Sequence, residues 1–104
     1  MSTKSPKGES DVLTKTRQET KTPRNFKVLL HNDDYTTMEF VVWLLKNVFH
    51  HDESEAYEIM LKVHRGGVGV AGIYSREIAE TKVAKTIQLA RQNDFPLEAS
   101  MEPE

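Results

Sequence analysis

FKVLLHNDDYTTMEFVVWLLKNVF, residues 26–49, changes its hydrophobic period halfway along. Phe26 to Asn32 is rich in strand formers and runs into the polar cluster His31-Asn32-Asp33-Asp34, so it predicts a strand ending in a turn. Asn and Asp fold their side chains back on the local backbone, which is the physical basis of that turn. Thr36-Thr37-Met38-Glu39 then matches a T-x-x-E capping box ahead of an apolar run. A helix is expected from about Met38 to His50. On its wheel Phe40, Leu44, Val48, Val41, Leu45, Met38, Phe49 and Val42 share an arc of about 200°. Lys46, Glu39, His50, Trp43 and Asn47 fall opposite.

Downstream, Asp52-Glu53-Ser54-Glu55 gives a second helix start, and Gly66-Gly67 ends that helix at about Arg65, because glycine permits a left-handed cap. Val68 to Tyr74 reads as a glycine-interrupted strand. A third helix is expected over roughly Ile78 to Gln92, with a stripe of Ala79, Val83, Thr86, Ile87 and Ala90. Pro96 follows it, and Leu97 to Met101 suits a last short strand. The order strand–helix–helix–strand–helix–strand predicts a compact single α+β domain with helices on a small sheet.

Upstream, residues 1–25 hold Lys4, Lys7, Lys15, Arg17, Lys21 and Arg24 against Glu9, Asp11 and Glu19, a surplus of three positive charges. Val12 and Leu13 are the only sizeable apolar residues there after Met1. Such a segment buries too little surface to offset its ordering entropy, so it is expected to be a disordered arm. It serves either as an inert solubilising tail or as an arm that a partner grips. The domain is expected over residues 26–104, which carry 8 basic and 13 acidic residues.

The whole chain has 104 residues and a formal net charge of −2. That length allows one domain, and the balance shows no basic excess of the kind nucleic-acid binders carry. No stretch approaches the ~18 apolar residues of a membrane helix. The opening MSTKSPKGES has no apolar stretch after its basic residues, unlike a secretory signal. Cysteine is absent, which excludes disulfides, thiolate metal sites and a cysteine nucleophile. A cytoplasmic protein is expected, with no cofactor. Metal binding is not expected: His50 and His51 point about 100° apart on a helix end and cannot chelate one ion as an i, i+4 pair would. Gly66-Gly67-Val68-Gly69 precedes a strand, not a helix, and lacks a phosphate-loop pattern. No nucleophile–base–orienter set is visible, so an enzyme is not expected.

Three sets of residues have chemistry to offer. His64 lies on the second helix between Met60 and Tyr57, inside an arc of Ile59, Val63, Ala56 and Met60. It is either a satisfied core histidine or a polar group at the rim of an apolar hollow. Asn32-Asp33-Asp34 is either a plain turn or an acceptor cluster suited to a primary ammonium, which offers three N–H donors. Met38, Val41, Met60 and Leu97 are either core or the wall of an adaptable pocket, methionine being flexible and polarisable. Trp43 is either an isolated surface aromatic or a contact for a partner. A plain interaction module, docking through the acidic surface or Trp43, competes with a terminus-reading site.

Residues 26–49 followed by LKVHRGGVGVAGIYSREIAETKVAKTIQLAR, residues 61–91, closely resemble the ClpS family, the adaptors of the bacterial ATP-dependent Clp protease. The resemblance spans about residues 26–101. Its blocks HNDDYT-x-MEFV, VH-x-x-G and AETKV are specific in combination. It implies a small antiparallel three-stranded sheet covered by three helices. It also implies an N-degron recognition protein, expected here to be a monomer, that binds substrates beginning with Leu, Phe, Tyr or Trp and passes them to the ClpA unfoldase for degradation by ClpP. By position, the family's α-amine ligands fall on Asn32, Asp33 and His64, and its side-chain pocket on Thr36, Met38, Val41, Met60, Val63 and Leu97. Its surface for the ClpA N-terminal domain falls on Glu77 and Lys82. Residues 1–25 correspond to the arm engaged during handover. Thr37 departs from the family's frequent Pro, and Trp43 stands where many relatives have a polar residue.

Overall fold

The computed structural model describes residues 23–104. The arm expected over residues 1–25 lies, except for its last three residues, outside the described residues. The elements are β1 (Phe26–His31), α1 (Met38–Asn47), α2 (Glu53–Gly66), β2 (Val68–Tyr74), α3 (Arg76–Gln92) and β3 (Glu98–Pro103).

The sheet has the order β2-β1-β3, with both pairings antiparallel. Phe26 faces Tyr74 on one side and Pro103 on the other, and His31 faces Val68 and Glu98. Because side chains alternate along a strand, one face of β1 presents Val28 and Leu30, both fully buried. The helices lie on that face: α2 against β2 and α1, and α3 against β1 and β3. Leu44 and Leu45 of α1, Ala56 of α2, and Ala79 and Ala90 of α3 complete a core with no solvent exposure. The three-helix, three-stranded α+β domain expected from the sequence is therefore the fold.

Two glycines set the α2–β2 corner. Gly67 takes φ +90 as the left-handed cap of α2, and its N–H reaches Val63 O at 2.9 Å. A Cβ on Gly69 would lie 2.7 Å from Val63 Cγ2. The bare backbone there lets α2 sit down on the sheet, which explains the glycine interruption of β2.

Four of the boundaries that differ from the sequence reading have an identifiable cause or consequence. The cap of α1 is Thr37, whose hydroxyl accepts from Phe40 N at 3.1 Å. Thr36, the expected first member of the capping box, instead bonds Asp33. The φ of −75 at Thr37 is one a proline also satisfies. Helix α1 stops at Asn47 rather than His50: Val48 and Phe49 stay apolar and buried, but they pack from a turn in which His50 takes φ 61. Helix α3 begins two residues early, at Arg76, after a Ser75 that makes no side-chain cap bond. Strand β3 begins at Glu98, one residue late, with Leu97 buried just before it.

Candidate functional site

The loop between β1 and α1 is pinned by its backbone at one end and by its own side chains beyond it. Asn32 N donates to Gly67 O at 2.9 Å, which ties the end of β1 to the α2–β2 corner. The Asn32 Nδ2 makes a long contact, 3.5 Å, to His64 O. With the amide in that sense, Oδ1 is the atom that remains to accept. One residue on, Asp33 Oδ1 accepts from Tyr35 N at 2.8 Å and Thr36 N at 2.7 Å, and Oδ2 accepts from Thr36 Oγ1 at 2.7 Å. The turn read from Asn32-Asp33-Asp34 thus forms, and it holds a carboxylate in a fixed orientation.

Partial burial pushes the Asp33 carboxyl up. The Thr36 hydroxyl, the backbone N–H groups of Thr36 and Tyr35, and the charge of Arg91 outweigh it and hold the group below its ordinary 3.8. An acid depressed by folding contributes stability that is present above its unfolded pKa and lost as pH falls through the folded one. Thr36→Val removes one of those donors. We expect the Asp33 pKa to rise in an NMR titration, with a loss of about 1 kcal/mol in neutral solution that fades at acid pH. An unchanged Asp33 titration would show that the hydroxyl does not set the charge.

His64 stands on the last turn of α2 and is exposed. The core-histidine alternative therefore does not hold. One turn earlier on the same face, Met60 is buried at 3% exposure, while Met38 at the head of α1 is 44% exposed. Between the two helices is an open hollow of about 370 Å³. Met38, Val42 and Trp43 of α1 and Tyr57 and Met60 of α2 line it, with Glu39, Lys46 and Asn47 at its edge. Met38 and Met60 are thus brought together. Val41, Val63 and Leu97 are sealed in the core instead, at 6%, 3% and 1% exposure. The sequence wheel placed Met38 with the core stripe, but its position in the first turn of α1 leaves it half out of the packed layer.

Arg91 was missed in the sequence. Its Nη1 donates to Phe95 O at 3.0 Å and Leu97 O at 2.8 Å, and its Nη2 pairs with Glu98 Oε2 at 2.6 Å. It fixes the segment carrying Leu97. The carbonyls it holds have no side-chain signature, so no pattern in the sequence marks this role.

On the other side of the domain, Glu77 is exposed in the first turn of α3. Lys82 is partly buried: its Nζ donates to Val48 O at 2.5 Å and stands 5.6 Å from the Tyr74 ring centre. His51 Nε2 pairs with Ala71 O at 2.5 Å, so this histidine links the α1–α2 turn to β2. Among the described residues no helix is long and apolar enough to cross a membrane.

Residues 21–100 match the protein family described as ATP-dependent Clp protease adaptor protein ClpS. An ATP-dependent Clp protease adapter protein ClpS of Desulfatibacillum aliphaticivorans is 60% identical over 94 residues, covering 90% of each chain. One from Myxococcus xanthus is 53% identical over 98 residues, covering 92% of each. Among solved structures, Agrobacterium tumefaciens ClpS2 bound to L-phenylalaninamide superposes with a TM-score of 0.77 at 42% identity, covering 80% of this chain and all of that one.

Proposed function

The chain belongs to the ClpS family of ATP-dependent Clp protease adaptors, and from that premise we propose that it reads the first residue of a protein destined for degradation. The free α-amine and a large hydrophobic first side chain (Leu, Phe, Tyr or Trp) are the features read, and the ClpA unfoldase is the recipient. The observation that carries this reading is that the Asn32 side chain reaches the backbone of His64, an exposed histidine one helical turn from Met60, which with Met38 lines the hollow. The solved relative bound to L-phenylalaninamide carries a ligand with both features, an amine and a benzyl side chain.

An α-amine has a pKa near ~7.7–8.0 and is mostly charged at neutral pH. Its three N–H donors need three acceptors. Asn32 Oδ1, the fixed Asp33 carboxylate and a ring nitrogen of His64 supply them. The imidazole must be neutral, because a protonated ring has no acceptor. The first side chain enters past Met38. Val41 lies one turn along α1 from Met38, and Val63 one turn along α2 from Met60. Swinging the flexible Met38 aside opens these buried walls and Leu97 to the ligand. Burying a Leu or Phe side chain contributes roughly 1.5–3 kcal/mol, and each hydrogen bond to a charged group roughly 1.5–3 kcal/mol. Neither alone overcomes the cost of association. Together they sum to roughly 6–12 kcal/mol before that cost, and micromolar binding, about −8 kcal/mol net, draws on the upper part of that range.

Delivery uses a separate face. Exposed Glu77 is the group offered to ClpA, and Lys82, latched onto Val48 O, holds that end of α3 against the domain. A reporter protein beginning with Phe is expected to be degraded by ClpA and ClpP only when the adaptor is added, and one beginning with Ser to be spared. Glu77→Arg is expected to abolish delivery while peptide affinity stays within about twofold. Degradation that ignores the first residue, or a Glu77→Arg adaptor that delivers normally, would refute the reading or its docking face respectively.

A further inference from the structure

We propose that the groove between α1 and α2 is a second subsite that takes an apolar side chain at the third residue of the substrate, with Trp43 as its platform. The inference rests on the amine-reading site above and extends it along the polypeptide.

Three of the large apolar side chains that remain exposed, Met38, Trp43 and Tyr57, at 44%, 45% and 52%, line this one groove. Exposed apolar side chains scattered singly need no explanation, but a contiguous set around a concavity marks a contact surface. Trp43 is held there: its ring stacks on buried Phe40 at 5.9 Å between centroids, with 23° between planes. Lys46 at the far end is already paired with Glu53 at 3.0 Å. Glu39 also lines the groove, so it favours an apolar occupant over an acidic one.

The occupant follows from continuity and spacing. Met38 and Met60 line the groove, and Met38 is also the side chain past which the first residue enters in the reading above. A polypeptide whose first side chain turns inward at Met38 presents its third side chain on the same side, because an extended chain alternates. Two residues of extended chain advance about 7 Å. Trp43 lies five residues along α1 from Met38, about 7.5 Å of axial rise and about 140° around the helix, and both side chains line the groove. A third side chain that follows the first along the groove reaches the end walled by Trp43, while the second points to solvent.

Trp43 is the only tryptophan of the chain, so its emission reports on the groove. The probes are the peptides Phe-Ser-Leu-Ser-Gly and Phe-Ser-Ser-Ser-Gly, with phenylalaninamide as a ligand too short to reach it. Leu at the third position is expected to tighten binding about fivefold and to shift Trp43 emission to the blue. Trp43→Ser and, separately, Tyr57→Ser are expected to erase the fivefold preference, with phenylalaninamide and the Ser peptide bound as before. Equal affinity of the two peptides for the wild-type protein, or a preference that survives both variants, would overturn the subsite while leaving the amine site standing. Failure of all three ligands to bind would overturn the amine site and the subsite with it. Trp43 emission that shifts with protein concentration alone would place a second copy of the chain in the groove, and would equally overturn the proposal.

Discussion

Asp33→Asn is expected to weaken a Phe-starting peptide about 30-fold, close to 2 kcal/mol, because it removes the negative charge that the proposed site sets against the ammonium. The substitution is chosen to spare the loop. An Asn Oδ1 still accepts from the backbone N–H groups of Tyr35 and Thr36, as the carboxylate does at 2.8 and 2.7 Å. The Thr36 hydroxyl, which now donates to Oδ2, can rotate to accept from the new amide. Thermal melting should therefore change little while fluorescence anisotropy records the loss. A variant that melts normally and binds within about threefold of the wild type would remove Asp33 from the ammonium site.

Met38→Ala acts on the other half of recognition. A β-branched first residue carries its bulk at Cβ, where, in the proposed mode of binding, it would meet Met38, half-exposed at the head of α1. Peptides beginning with Val or Ile are accordingly expected to bind poorly to the wild-type protein. Truncating Met38 should raise their affinity about tenfold relative to the Phe peptide, a shift of about 1.4 kcal/mol in selectivity. Met38 is nearly half exposed, so the stability lost on truncation should be modest. Rejection of Val and Ile that persists unchanged in Met38→Ala would show that something other than this side chain excludes them.

How much of this was legible in the sequence depended on the range of the interactions involved. Local chemistry was readable: the Asn32–Asp34 turn, the Asp52–Glu55 capping box and the left-handed Gly67 are each decided within a few residues. The competition between two adjacent threonines was not. Thr36 and Thr37 both suit a cap, and the choice falls to Thr37 because Asp33 claims the other hydroxyl. Periodicity overran the end of α1 for a related reason, since Val48 and Phe49 bury their side chains from a turn as well as a helix would.

At the site, the resemblance directed attention to Asn32, Asp33 and His64, and the fold places the first and last in contact. A helical wheel separates one face from another but does not say which turn of the helix the core covers. Met38 and Val41 share a stripe, yet only Val41 is sealed. The same blindness put Trp43 on a polar face, when it walls a groove that exists only once α2 is packed alongside. Arg91 was invisible because its partners are main-chain carbonyls and a carboxylate it meets only after the chain has turned at Asp94.

The most direct measurement compares one Phe-starting peptide with its Nα-acetylated twin in the same anisotropy titration. Acetylation leaves the benzyl group untouched but strips the amine of its charge and of two donors. The free peptide is expected to bind in the micromolar range or tighter and the acetylated one at least about a hundredfold more weakly. Equal affinity for the two would mean that Asn32, Asp33 and His64 hold no ammonium, and that the chain does not read a polypeptide's beginning.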